Sequence, residues 1–239
     1  ICHISNTSRN NSLTNSSIWT IIKDKQGTLW LGTYFGGINY FNPEYEIYTQ
    51  YRLHDKGSQG LSSQIVGRMT EDDKGNLWIC TEGGGLNIYH PQTKAFSRYP
   101  LPGVELTQNN LKAIFFDKSR RTMWVGAHLG GLDRISLAGK TSRTYRHNPA
   151  NPKSLPSDIV RDIKPYGRHL IVATQEGVAM MDPETDTFTP LLASEKLRNV
   201  QGLCIDKRGR LWVATESRGV YCYHFATKRF RHFQQTKAK

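Results

Sequence analysis

Leu29-Trp30-Leu31-Gly32-Thr33 returns four more times along this chain of 239 residues. It reappears as Leu77-Trp78-Ile79-Cys80-Thr81, Met123-Trp124-Val125-Gly126-Ala127, Leu170-Ile171-Val172-Ala173-Thr174 and Leu211-Trp212-Val213-Ala214-Thr215. The second residues of these copies stand 48, 46, 47 and 41 positions apart. Self-similarity at a period in the forties marks a repeat architecture, and it takes precedence over any local reading.

Working outward from the motif, each unit has four parts. An apolar stretch with an Asp at its end comes first: Ile18, Ile21, Asp24; Val66, Met69, Asp72; Leu111, Ile114, Asp117; Val200, Leu203, Asp206. A polar turn follows, marked by Gly27, Gly75 and Gly209, and then the Trp strand. A Gly-bearing loop leads into a third strand at Gly37-Ile38, Gly85-Leu86, Gly131-Leu132, Gly177-Val178 and Gly219-Val220. An aromatic-bearing segment such as Ala95-Phe96-Ser97-Arg98-Tyr99 ends the unit. Short β-branched and aromatic runs separated by Gly, Asn, Asp and Pro read as strands joined by tight turns. Four antiparallel strands per unit predict an all-β chain, a β-propeller of four-stranded antiparallel blades with five blades visible. Unit four departs from the pattern, with Ile171 for Trp and Tyr166 for Asp, and unit three has Ser119-Arg120-Arg121 in place of the turn Gly.

The expected organisation is one propeller fragment. Residues 1–17 read as the last strand of a preceding blade plus a linker, and 18–52 as blade 1. Linker and blade follow at 53–100, 101–147, 148–192 and 193–239. The five blades are expected to be part of a seven-bladed propeller. The start, Ile1-Cys2-His3-Ile4-Ser5, has no initiator Met, basic region or apolar run, so any signal peptide lies outside this sequence.

The net charge of +12 favours anionic partners, but Lys and Arg are spread along the chain rather than massed. No nucleic-acid motif accompanies the charge, so nucleic acid is not an expected partner. Cys2, Cys80, Cys204 and Cys222 contain no C-x-x-C, and the eight His show no ligand spacing; no metal and no cofactor are expected. Three of the cysteines sit within apolar strand patterns, where a free thiol acts as a small hydrophobe. No stretch approaches 18 consecutive apolar residues, so any membrane span lies in other segments.

The composite h-x-x-h-x-x-D-x-x-G-x-L-W-x-G-T-x-x-G-G-L resembles the two-component regulator propeller repeat. The segments Asn11-Ser12-Leu13-Thr14, Gly60-Leu61-Ser62-Ser63 and Lys153-Ser154-Leu155-Pro156-Ser157 resemble the S-L-S loop that precedes each blade in that family. The likeness runs over nearly the whole chain and is less full in units four and five. It implies the periplasmic sensor of an inner-membrane, often hybrid, two-component histidine kinase of Bacteroidetes type. By the same resemblance the sensor is homodimeric in the full-length receptor, binds an oligosaccharide and regulates polysaccharide-utilisation genes.

In an antiparallel meander, alternate connections fall at opposite ends of the sheet. With strands A to D counted from the channel outward, the B–C loops and the D–A linkers share one face, and long connections carry function more often than tight turns. The B–C loops there hold Tyr34, Phe35, Glu82, His128, Leu129, Gln175, Glu176, Glu216 and Arg218; the linkers hold His54, Lys56, Arg146, His147, Lys196 and Arg198. The residue after the first apolar position of strand A recurs in register as Trp19, Gly67, Lys112, Arg161 and Gln201. The ligand-binding candidates are Trp19, Lys112, Arg161, Gln201, Tyr34, Phe35, His128 and Arg218. An aromatic platform beside cations suits a sugar ring, including one with carboxylate or sulfate. Ordinary solvated channel lining is the alternative, and no function is expected of the basic turns on the opposite face.

Two other functions compete. A propeller enzyme acting on acidic glycans needs a carboxylate pair, or arginines with a supported Tyr nucleophile. Only Glu82 and Glu216 come near, in ordinary loop positions, so no catalytic residue is assigned. A protein-interaction propeller would account for the fold, but the repeat lacks the Gly-His and Trp-Asp marks of the WD family.

Overall fold

A computed structural model describes residues 13–42, 47–51, 53, 60–99, 105–192, 197 and 199–234. The chain is all β, and the described residues include no helix. Blade 1 consists of β1 (Ile18–Lys23), β2 (Leu29–Thr33), β3 (Gly37–Asn42) and β4 (Ile47–Tyr51). Blade 2 consists of β5 (Val66–Glu71), β6 (Leu77–Thr81), β7 (Gly85–His90) and β8 (Ala95–Tyr99). Blade 3 holds β9 (Leu111–Asp117), β10 (Thr122–Ala127), β11 (Leu132–Ser136) and β12 (Thr141–Tyr145). Blade 4 holds β13 (Val160–Tyr166), β14 (His169–Thr174), β15 (Gly177–Asp182) and β16 (Thr187–Leu192). Blade 5 holds β17 (Val200–Ile205), β18 (Leu211–Thr215), β19 (Val220–His224) and β20 (Arg229–Phe233). In every sheet the strands pair in sequence order, so each blade is a simple meander.

The chain divides into two compact units, Ile1–Val125 with Arg134–Ser142, and Gly126–Asp133 with Arg143–Lys239. In the first, Trp30 and Ile38 of blade 1 pack with Leu61, Val66, Met69, Leu77, Ile79, Tyr89 and Phe96 of blade 2 and its linker. In the second, Ile171, Ala173 and Val178 of blade 4 pack with Leu197, Val200, Leu203, Leu211, Val213, Tyr221 and Tyr223. Each strand sends alternate residues to opposite sheet faces. The apolar side chains on both faces of the B strands are therefore what joins blade to blade.

The recurring Asp has a defined task. In blade 2, Asp72 Oδ1 accepts the backbone N–H groups of Lys74 and Asn76 at 2.8 and 2.9 Å, closing the A–B turn. Its Oδ2 accepts the indole N–H of Trp78 at 2.9 Å. Asp24 with Trp30 and Asp206 with Trp212 repeat the bond at 2.8 and 2.9 Å. Blade 4 has lost both members together, which leaves no orphaned polar group. In blade 3 the missing turn Gly is replaced by Arg121 at φ 47°, and Asp117 instead takes Ser119 Oγ–H and Arg120 Nη1–H at 2.6 and 2.9 Å.

The S-L-S linkers also latch onto their own blades. Ser62 N–H donates to Asn87 Oδ1 (3.0 Å), Asn87 Nδ2–H donates to Ser62 Oγ (2.7 Å), and Ser62 Oγ–H donates to Gly84 O (2.7 Å). Thr14 and Asn39 repeat the reciprocal pair in blade 1 at 3.0 and 2.8 Å. The Gly-Gly pair follows from this. A Cβ on Gly84 would stand 2.4 Å from Ser62 Oγ, and Gly85 needs φ 72°. Of the three cysteines expected to act as buried hydrophobes, Cys80 and Cys222 are buried, but Cys204 is exposed; Cys2 lies outside the described residues.

Candidate ligand-binding site

The A strands of blades 1, 2, 4 and 5 each break register near their start. The shifts fall between Ile18 and Thr20, Val66 and Met69, Val160 and Asp162, and Val200 and Gly202. A β-bulge inserts an extra residue outside the ladder register and re-aims that side chain. Trp19, Arg161 and Gln201 are such residues, and Gly67 falls in the corresponding break. The in-register series found in the sequence is thus a series of irregularities at the inner strand.

In the first unit four of the candidates come together. Trp19 is 46 % exposed and stacks on Tyr34, with centroids 5.3 Å apart and planes at 12°. Tyr34 is placed by its N–H bond to Ser17 O at 2.9 Å, which ties the B–C loop to the inner strand. Phe35 meets Tyr34 edge-on at 4.3 Å and 71°. Phe35 is 55 % exposed and holds φ 63°, a left-handed conformation that costs a non-glycine residue about 1–2 kcal/mol. An exposed aromatic kept in a strained backbone conformation points to use rather than packing. Lys112 Nζ lies 5.4 Å from the Trp19 ring centroid, within cation–π range.

The charge differs from the sequence expectation. Lys112 was read as a cation available to an acidic ligand; in the structure it is hydrogen-bonded and ion-paired to Glu82 on the blade 2 B–C loop. Glu82, weighed before as a catalytic carboxylate, holds that ammonium in place beside Trp19. The cluster therefore offers an aromatic surface edged by a neutral donor–acceptor pair. Sequence reasoning had Lys112 and Glu82 on the same face but no signal that the two would pair.

The other candidates belong to the second unit. Arg161 is half-buried, and its Nε is buried without a hydrogen-bond partner. Gln201 and His128 are half-buried. Arg218 is exposed at the blade 5 B–C loop, where its N–H donates to Thr215 Oγ1 at 3.1 Å and its carbonyl contacts His232 Nε2. Leu129 repeats the strained loop tip of Phe35, with φ 63° and 58 % exposure. Arg146 supports that tip, donating to Leu129 O at 2.8 Å and pairing with Asp158 at 3.3 Å. His54, Lys56, Lys196 and Arg198 lie outside the described residues. Among the described residues, no group of three or more His, Cys, Asp or Glu is placed to hold a metal ion.

Comparisons with known proteins bear on the fold and the repeat. The extracellular domain of a protein assigned as a hybrid two component system from B. thetaiotaomicron superposes with a TM-score of 0.81 at 22% identity, over 98% of this chain and 31% of that one. The extracellular domain of a second protein from that organism, assigned as a one component system, gives 0.76 at 22% identity, over 97% and 34%. Virginiamycin B lyase from Staphylococcus aureus gives 0.70 at 14% identity, over 99% and 74%. At such identities the likeness is one of fold, and the chain spans about a third of the length of the two extracellular domains. A search of curated protein sequences gives no match. The family model described as two component regulator propeller matches residues 12–35, 60–83 and 194–217, each a linker with its A and B strands. Unit five, expected to fit less fully, is among the three, whereas units three and four are not. The chain is a β-propeller that carries two component regulator propeller repeats.

Proposed function

We propose that these blades are part of the extracytoplasmic sensor of a two-component, hybrid-type histidine kinase, and that they bind an oligosaccharide on the face of the B–C loops. The observation that carries the reading is the Trp19–Tyr34–Phe35 cluster, edged by Lys112 and Glu82. Stacked, solvent-open rings offer the apolar face of a pyranose a flat surface, and the Lys–Glu pair offers its hydroxyls both donors and acceptors. Because Glu82 already offsets Lys112, the sugar held here is uncharged. Binding rather than catalysis is favoured for the same reason, since that carboxylate is committed to an ammonium. The sensor is periplasmic, and the full inner-membrane receptor is dimeric and governs polysaccharide-utilisation genes. Its signal requires that ligand bind one arrangement of the receptor more tightly than another.

Calorimetry of the full protein against neutral and acidic oligosaccharides tests this. A neutral oligosaccharide is expected to bind with little dependence on salt, and Trp19→Ala is expected to weaken it at least tenfold, the loss of about 1.4 kcal/mol. Binding unaffected by Trp19→Ala would remove the site, and turnover of the glycan would restore the enzyme reading.

A further inference from the structure

The tight-turn face of the first unit, for which the sequence suggested no role, contains a cleft of 870 Å³ between the outer parts of blades 1 and 2. That lies in the range of about 300–1,000 Å³ typical of small-molecule sites. Its floor is aromatic. Trp30 meets Tyr40 edge-on at 5.0 Å, and Tyr51 lies 5.0 Å from Tyr89. Lys23 and Lys94 stand at its rim.

Blade 1 lacks the long polar side chains found at the matching positions of its sister blades. In blade 2 the corresponding position holds His90, whose ring nitrogens bond Asn76 Oδ1 at 2.9 Å and Ser97 Oγ at 2.8 Å. In blade 5 Arg210 donates to Asp206 Oδ2 at 2.6 Å and lies 5.4 Å from the Trp212 ring centroid. In blade 3 Arg134 lies 5.5 Å from the Trp124 centroid. Blade 1 has Thr28 where blades 2 and 5 have Asn76 and Arg210, and Asn42 where blade 2 has His90.

The two tyrosine hydroxyls at this floor keep donor capacity. Tyr51 and Tyr89 share a hydroxyl contact of 2.7 Å. Two hydroxyls carry two protons and the shared bond uses one, so one remains to donate outward. Burial, with the bond to Tyr89, pushes the Tyr51 hydroxyl well above its usual range, so Tyr51 stays protonated at neutral pH. Asp24 is saturated by Gln26 N–H, Thr28 N–H and Trp30 Nε1–H at 3.0, 2.9 and 2.8 Å. Lys23 and Lys94 have no carboxylate partner among the described residues. Among the described residues, two lysines and one committed carboxylate thus line the cleft.

We infer that this cleft is a second ligand site, separate from the B–C face, and that it takes an acidic sugar ring, stacked on Tyr40 and Tyr51 with its carboxylate or sulfate toward Lys23 and Lys94. The test is titration of the full protein with 4-linked digalacturonate and with galactobiose, its neutral counterpart. Saturable binding of digalacturonate is expected, with galactobiose at least several-fold weaker. Thr28→Arg copies the arrangement of blade 5 and should fill the cleft without disturbing the fold, abolishing that binding while Trp19→Ala leaves it intact. Lys23→Gln with Lys94→Gln should weaken it about three- to tenfold, as for exposed ion pairs. No saturable binding at millimolar digalacturonate overturns the inference, as does unchanged binding in Thr28→Arg. Loss in Trp19→Ala with retention in Thr28→Arg overturns it too and places the acid on the B–C face. Equal affinity for both sugars, or no effect of the lysine changes, overturns the assignment of charge.

Discussion

Asp72 shows how one side chain serves turn, strand and packing together. Burial pushes its carboxyl upward, but donors from Trp78, Asn76 and Lys74 outweigh it and hold the group below the usual carboxylate range. Asp206 is lowered in the same way, first by the Trp212 indole and then by Arg210. A carboxylate whose folded pKa is depressed stabilises above its unfolded value, and that stability is lost as pH falls through the folded pKa. The urea midpoint is therefore expected to hold from neutrality down to about pH 4 and to fall below it. Asp72→Ala, which strands the Trp78 indole and the turn N–H groups, is expected to cost roughly 2–3 kcal/mol at pH 7 and progressively less in acid. An equal deficit at all pH values would show that the carboxylate charge is immaterial.

The linker is a structural element as much as a connection. Asn87 is fully buried and satisfied by Ser62, while Thr81 Oγ1–H caps Gly85 O at 2.7 Å. Blade 4 varies this consistently. Pro156 stands where Ser62 would, without an N–H, and Ala179 stands where Asn87 would, without an acceptor. A donor and an acceptor disappear together, because keeping one alone would bury an unsatisfied group. Asn87→Ala is expected to destabilise by about 1–3 kcal/mol in urea unfolding, since it orphans Ser62 N–H. Adding Ser62→Pro should recover part of that loss, as the blade 4 pairing implies; a fully additive double variant would refute the latch.

Taken whole, the blades differ at their ends. Ile18 and Ile21 of blade 1 are exposed, whereas Val66 and Met69, Val160 and Ile163, and Val200 and Leu203 are buried at the matching positions. Blade 5 exposes Cys204 and Ala214, and Trp212 is only half-buried where Trp30 and Trp78 are buried. Within each unit such faces are covered by the neighbouring blade, so we propose that further blades of the same kind cover them in the longer protein, as in a seven-bladed propeller. Cys204 of the 239-residue chain should then react readily with a thiol reagent under native conditions, and should be protected in a longer chain containing the next blade. Buried Cys80 and Cys222 should react in neither. Equal reactivity of Cys204 in both would exclude a covering blade.

The five-blade, four-strand organisation was legible in the sequence because the repeat is local. Each Trp strand, turn Gly and paired Gly is set by contacts within some forty residues of chain, and five copies reinforce one another. Trp19, Tyr34, Phe35 and Lys112 were likewise legible as neighbours, since register alone puts bulge and loop on one end of the sheet. What register cannot convey is which side chains answer one another across blades. The neutralisation of Lys112 by Glu82, separated by thirty positions, was decided only by tertiary structure. So was the cleft lined by Trp30, Tyr40, Tyr51 and Tyr89, where side chains of two blades meet. Periodicity specifies backbone path and burial; ion pairing and empty space depend on the lengths of individual side chains that meet only after the blades have packed.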